Sequence, residues 1–370
     1  IHFQLGNYEE SAATLRHAVK LLDQIPQKSR DADWARELAT IGNDLGAVKA
    51  TQFNFVDALR AHREVLAVIE TNHEWESDNY LRFEFARAHY YLGKHGQRSL
   101  QGIGRPPRNG NFRSVEDRPR LQRPGEIRPD GSRPLLATEL VGEHLDTAVR
   151  IFDELRETES LQDRAALAMA RALGIRAAIR SRDRSDRESD GQLAMRTLEA
   201  LVAKHPQEPS YQFELAQTLS SAEPSFRMLG PARWRSGEAK QRRALRILAE
   251  LADRYPTVPV YSVAHAEAHY KLSMILTLSG RAAAGRQQLR DALEITEVLA
   301  ARFPDHVSYI ALRFRLFRAL VRSYEKDGDS AGVAATVEEL RSEFENLDPA
   351  IAERRMVREV ARGVFGRDGN

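Results

Sequence analysis

His205-Pro206-Gln207-Glu208-Pro209-Ser210-Tyr211, Tyr255-Pro256-Thr257-Val258-Pro259-Val260-Tyr261 and Phe303-Pro304-Asp305-His306-Val307-Ser308-Tyr309 write one phrase three times. In each, a ring precedes Pro, Tyr follows after a constant interval, and Leu201, Leu251 or Leu299 stands just upstream. The prolines lie 50 and then 48 residues apart (206 to 256, 256 to 304). Proline lacks an N–H and collides with the preceding turn, so it ends one helix, and the Tyr opens the next. Apolar residues around the breaks keep helical spacing, as in Leu245, Leu248, Leu251 and Ala252, or Leu289, Ala292, Leu293 and Thr296. Each unit is thus a pair of antiparallel helices, and the fixed period predicts a solenoid of such pairs.

A blurred fourth copy surrounds Trp75. Tyr80-Leu81-Arg82-Phe83-Glu84-Phe85-Ala86 matches Tyr211-Gln212-Phe213-Glu214-Leu215-Ala216 with one residue inserted, and Ala88-His89-Tyr90-Tyr91-Leu92-Gly93 matches Ala268-His269-Tyr270-Lys271-Leu272-Ser273. The expected helix pairs, A with B, are 32–50 with 54–74, 78–95 with 136–157, 160–181 with 190–205, 209–222 with 237–255, 260–279 with 282–303, and 307–326 with 329–345. A lone B helix over 8–25 precedes them, and a polar helix near 350–364 is expected to cap the array. The expected organisation is helix pairs over 1–95, an insertion over 96–135, helix pairs over 136–346, and a capping helix and tail over 347–370. Ala58, Ala194, Ala244 and Ala292 are placed where helices approach closely.

Composition agrees with an all-α class. The chain has 370 residues, more than one globular core readily fills, and aromatic residues make up 7%. Lys plus Arg number 55 against 53 Asp plus Glu, so the molecule lacks the cationic excess of a dedicated nucleic-acid binder. No cysteine is present, which excludes disulfides and thiolate metal sites and is compatible with a reducing cytoplasm. No apolar run reaches the length of a membrane span. The opening Ile1-His2-Phe3-Gln4-Leu5-Gly6 reads as the last turns of a helix, which predicts that the chain is a fragment of a longer protein.

Several stretches carry a family resemblance. Leu5-Gly6-Asn7-Tyr8-Glu9-Glu10-Ser11, with Leu15 and Ala18 behind it, resembles the turn and B helix of a tetratricopeptide repeat. Leu45-Gly46 followed by Phe55, Ala58 and Val65 has that family's positions at the family's spacing, and Leu173-Gly174, Ala194 with Pro206, and Ala244 with Pro256 are partial matches. The period departs from the family's ~34 residues. The resemblance implies A helices lining a concave face and a function in binding a protein or peptide. The chain is also similar to the helical portion that follows a Ser/Thr protein kinase domain in some larger bacterial proteins, although no kinase motif occurs in it.

The helical period lapses over residues 96–134, where six prolines and six glycines alternate, and residues 94–134 hold ten Lys or Arg against four acids. This is a flexible insertion or part of a binding rim, because shorter insertions at 181–191 and 222–236 fall at the equivalent A-to-B turn. A rim would gather Arg105, Arg108, Arg113, Arg118, Arg120, Arg180, Arg182, Arg227, Arg233 and Arg235 with Phe112, Phe226 and Trp234, the residue types that interface hot spots favour.

The last A helix puts Phe314, Phe317, Val321 and Tyr324 on its apolar face and Arg315, Arg318 and Arg322 in a stripe. That stripe either faces the groove, where it would hold an acidic partner's carboxylates, or is a solvated face. Tyr90 and Tyr270 are repeat-equivalent and are either groove or packing residues. His265-Ala266-Glu267-Ala268-His269 puts two imidazoles at i and i+4, yet not in the zincin order, and His269 shares its repeat position with His89, which packing explains. Gly102-Ile103-Gly104 is followed by Pro106 and Pro107, which rules out a dinucleotide loop. The sequence therefore predicts a non-catalytic interaction scaffold with no cofactor, no metal, no specific nucleic acid and no membrane contact. The rival from another class is a metal-dependent hydrolase built on His265, Glu267 and His269.

Overall fold

The computed structural model describes residues 8–52, 54–100, 137–179, 184–221, 231–304 and 306–352. Apart from a short 3-10 turn at Gln27–Ser29, every regular element among them is an α-helix. They are α1 (Tyr8–Asp23), α2 (Ala32–Thr51), α3 (Phe55–Glu70), α4 (Asn79–Leu100), α5 (Ala137–Leu155), α6 (Gln162–Ile179) and α7 (Arg184–Lys204). There follow α8 (Pro209–Ser221), α9 (Pro231–Arg254), α10 (Pro259–Leu278), α11 (Ala282–Arg302), α12 (Val307–Asp327), α13 (Ser330–Glu345) and α14 (Pro349–Ala352). No described helix is long and apolar enough to cross a membrane.

The chain divides after His205 into two compact units. In the first, each helix from α1 to α6 packs on its successor, and α2 also touches α4, as α4 touches α6. In the second, α8 to α13 pack in succession, and α10 touches both α8 and α12. The odd helices α3, α5 and α7, or α9, α11 and α13, are not packed on one another in this way, although Arg290 of α11 reaches Glu339 of α13 at 2.8 Å. Within each unit the even helices therefore touch one another as well as their neighbours in sequence.

Local chemistry sets the helix ends. Asp31 caps α2 by accepting from the Trp34 N–H at 2.9 Å, and Asp329 caps α13 by accepting from the Gly332 N–H at 2.8 Å. Gly328 closes α12 at φ 73°, a left-handed position that costs glycine nothing. The repeated phrase is a turn built twice in one way within the second unit. The N–H groups of Tyr255 and Phe303 each donate to the Leu four residues back at 2.9 Å. The Tyr255 ring then sits 5.9 Å from Tyr261, and Phe303 sits 5.8 Å from Tyr309, so an aromatic pair staples the outgoing helix to the incoming one.

The cores follow the expected stripes. Phe314, Phe317, Leu320, Leu289, Leu293 and Leu340 form the centre of the second unit, and Phe152, Leu145, Met169 and Leu198 are fully buried in the first. Each such side chain contributes roughly 1.5–3 kcal/mol. Ala58, Ala194, Ala244 and Ala292 are all at 0% exposure.

Most bounds agree within about two residues, α3 ends four residues early at Glu70, and three boundaries differ further. α4 runs on to Leu100, α7 starts at Arg184 and α9 at Pro231, so parts of all three segments read as insertions are helical. These first and last turns carry few apolar residues and gave no periodic signal. Residues 101–136, 180–183 and 222–230, and the body of the expected cap beyond Ala352, lie outside the described residues.

Candidate partner-binding faces

In the second unit the even layer brings α10 and α12 together, and the expected residues meet there. Arg315 Nη2 donates to Glu267 Oε1 at 3.1 Å, and its guanidinium stands 5.6 Å over the Tyr270 ring. Its Nε is shielded from solvent and has no hydrogen-bond partner among the described residues. Arg318 is half-buried and Arg322 exposed. Among the described residues neither is ion-paired. Arg315 is thus paired with Glu267, and Lys271 stands within reach of both charges.

The neighbouring Arg313 has a different task. It is 8% exposed, donates to Glu343 through Nε at 2.6 Å and through Nη2, and donates from Nη1 to the Leu293 carbonyl. It ties α12 to α13 and α11, a role the stripe reading of this helix did not contain. Phe314, Phe317 and Val321 are buried as expected, and Tyr324 is partly buried.

In the first unit Tyr90 is 7% exposed and lines a cavity of about 260 Å³ between α4 and α6. The Lys94 ammonium lies 5.5 Å over its ring. Tyr90 and Tyr270 therefore occupy corresponding places, each on the even layer with a cation above its face. Of the rim residues, Trp234 is half-buried and Arg235 exposed on the first turn of α9. The Arg233 side chain and the remaining rim positions fall outside the described residues.

The hydrolase constellation does not converge. His265 and His269 rings lie 4.8 Å apart, but His269 Nδ1 meets Gln288 Oε1 of α11 at 3.0 Å and Glu267 is held by Arg315. Burial lowers both imidazoles below the usual range, His265 to about 4. Among the described residues no three His, Asp or Glu side chains are placed to hold a metal ion. His89, at the repeat position of His269, meets His144 of α5 through Nδ1 at 2.9 Å. Both histidines thus bond to the odd helix of their own hairpin, which is a packing role.

A buried polar seam escaped the sequence reading. Asn43 Nδ2 donates to Glu84 Oε2 at 2.9 Å, and Asn43 Oδ1 stands 3.1 Å from His62 Nδ1. Arg87 bonds Glu84 at 2.9 Å and also bonds Asp44. The rings of His62, Tyr91 and His95 are mutually stacked, with centroids 4.8 to 5.5 Å apart. Burial, with Arg87 nearby, holds His62 at about 3, and burial beside His62 holds His95 at about 2. Both rings are neutral at neutral pH.

No protein-family model matches the chain, and no curated protein matches it. Among solved structures it is similar to the S. pombe nuclear import adaptor Nro1, at 11% identity and TM-score 0.49, covering 88% of this chain and 98% of that one. It is also similar to the human IFIT1 dimer with PPP-AAAA, at 15% identity and TM-score 0.26, covering 87% and 74%. A third is yeast Tom70, at 9% identity and TM-score 0.17, covering 99% and 94%. At these identities and overlaps no function passes from those proteins to this chain.

Proposed function

We propose that the chain is a protein–protein interaction scaffold that receives an acidic protein or peptide partner on the inner faces of its helix stacks. One observation supports this reading: Arg318 and Arg322 share α12 with Arg315, which is held by Glu267 beside Tyr270, and among the described residues neither of the two has an acidic partner. Arginine and tyrosine at a partly covered face are what binding hot spots use. The arginine-rich segment 96–135, with Trp234, Arg233 and Arg235, would add a basic rim. A natural setting is a non-catalytic helical region of a larger bacterial protein, a Ser/Thr protein kinase among them, in the cytoplasm.

The test keeps the Arg315–Glu267 pair intact. A partner is isolated by affinity capture, purified, and its Kd measured against the wild type and Arg318→Glu with Arg322→Glu. The double variant is expected to bind at least ~10-fold more weakly, which corresponds to about 1.4 kcal/mol, with unchanged helical content. Unchanged affinity would remove this face from consideration. Stoichiometric metal in the purified protein, lost along with an activity in His265→Ala, would favour the hydrolase reading instead.

A further inference from the structure

Lys271 of α10 lies between α8 and α12 with a hydroxyl, not a carboxylate, as its partner. It is half-buried, and its Nζ donates to Ser220 Oγ of α8 at 3.1 Å. Glu267, one turn back on α10, is held by Arg315 of α12 at 3.1 Å, and among the described residues no carboxylate pairs with Lys271. Ser220 is itself fixed, because Gln241 Nε2 of α9 donates to its Oγ and to the Ala268 carbonyl, each at 3.0 Å. A hydroxyl accepts from an ammonium and donates to a free amine, so this partner does not select the charged form as a carboxylate would. Burial lowers the amine below the usual lysine range, Glu267 draws it back up, and Arg315, a like charge, pushes it down.

A lysine withdrawn from water beside a second cation is the arrangement that makes an amine nucleophilic near neutral pH. We propose that Lys271 is a covalent modification site that takes an acyl group from a thioester donor. The Nζ lone pair adds to the thioester carbonyl carbon, the carbon–sulfur bond breaks, and the thiolate leaves. The nitrogen sheds one proton, which the thiolate takes up, so an amide and a free thiol result and nothing is oxidised or reduced. The amide removes the charge that Arg315 repels and leaves the Arg315–Glu267 pair in place. The site goes beyond the scaffold reading and does not depend on it, since it needs only the contacts of Lys271 with its own unit.

The experiment incubates the full chain with acetyl-coenzyme A and follows acetylation of each lysine by peptide mass spectrometry. Lys20 and Lys326, both exposed, are the internal references. At about pH 7.4 Lys271 is expected to react at least ~3-fold faster than either, and the ratio should fall as the pH is raised towards about 10, where an ordinary lysine loses its proton too. In urea the preference should vanish. Two variants move the charges in opposite senses. Arg315→Gln removes the like charge and frees Glu267 for Lys271, so Lys271 should slow. Glu267→Gln removes the nearby carboxylate, so Lys271 should speed up, while Lys20 and Lys326 keep their rates in both variants. Lys271 reacting more slowly than the references at about pH 7.4, a ratio that does not change with pH, or a preference that survives urea overturns the proposal. So does a change in the same direction in both variants, which is what a merely loosened helix would give. If either variant fails to fold, the pH profile of the wild type decides by itself.

Discussion

Among single residues, His62 and His95 link packing to pH. Both are buried, and both are held well below the ordinary imidazole value of 6.5, at about 3 and about 2. Above pH ~6.5 they are neutral in the folded and unfolded chain alike and have no effect on stability. Below it the unfolded chain takes up protons that the folded chain refuses, so stability falls as pH drops from about 6.5 towards about 3, by about 1.4 kcal/mol per pH unit for each such histidine. The melting temperature is therefore expected to fall clearly between pH 7.5 and pH 5. His95→Phe should shrink that fall without cost at pH 7.5, because among the described residues neither His95 nitrogen has a hydrogen-bond partner. A melt that is the same at both pH values, or a His95→Phe variant as acid-sensitive as the parent, would contradict this account. None of it was visible in the sequence, where a histidine on a helix carries no mark of burial. Gly46 is different. A Cβ there would run into the His62 ring, which is the physical reason for glycine in the Leu45-Gly46 pair singled out by resemblance.

Elements depend on the ties between neighbours. α12 was legible as an amphipathic helix, yet its arginines divide into two tasks that helical spacing cannot separate. Arg313 turns to Glu343 and the Leu293 carbonyl, whereas Arg315 turns to Glu267. Arg313→Ala would leave Glu343 without its cation and the Leu293 carbonyl with Thr296 Oγ1 as its side-chain donor. It should destabilise the second unit by on the order of 3 kcal/mol, read as a shift in the urea midpoint at constant slope. Arg322→Ala on the exposed side of the same helix should change stability by less than about 0.5 kcal/mol. Equal effects would mean that the two arginines are not differentiated as described. The starts of α7 and α9 were missed for a related reason, since polar first turns leave no apolar period to detect.

At the scale of the whole molecule, the division after His205 gives two units, each with its own buried aliphatic and aromatic centre. Residues 206–370 expressed alone are expected to show a helical spectrum and a cooperative melt, since Phe314, Phe317 and Leu320 are covered by helices of the same unit. A disordered spectrum would show that the second unit borrows its stability from the first.

The sequence by itself determined the helical class, the hinge positions at 206, 256 and 304, and the small residues at 58, 194, 244 and 292. These follow from local rules: proline cannot donate or pass through a helix, and period 3.6 needs only neighbouring residues to be read. The tertiary structure alone decided which polar side chains meet. Asn43 reaches Glu84 across 41 positions and Arg315 reaches Glu267 across 48, and the pairing of α4 with α6 put Arg164 against Phe83. Such contacts depend on how one helix is rotated against another, and that rotation is set by the summed packing of many side chains, which no local spacing records.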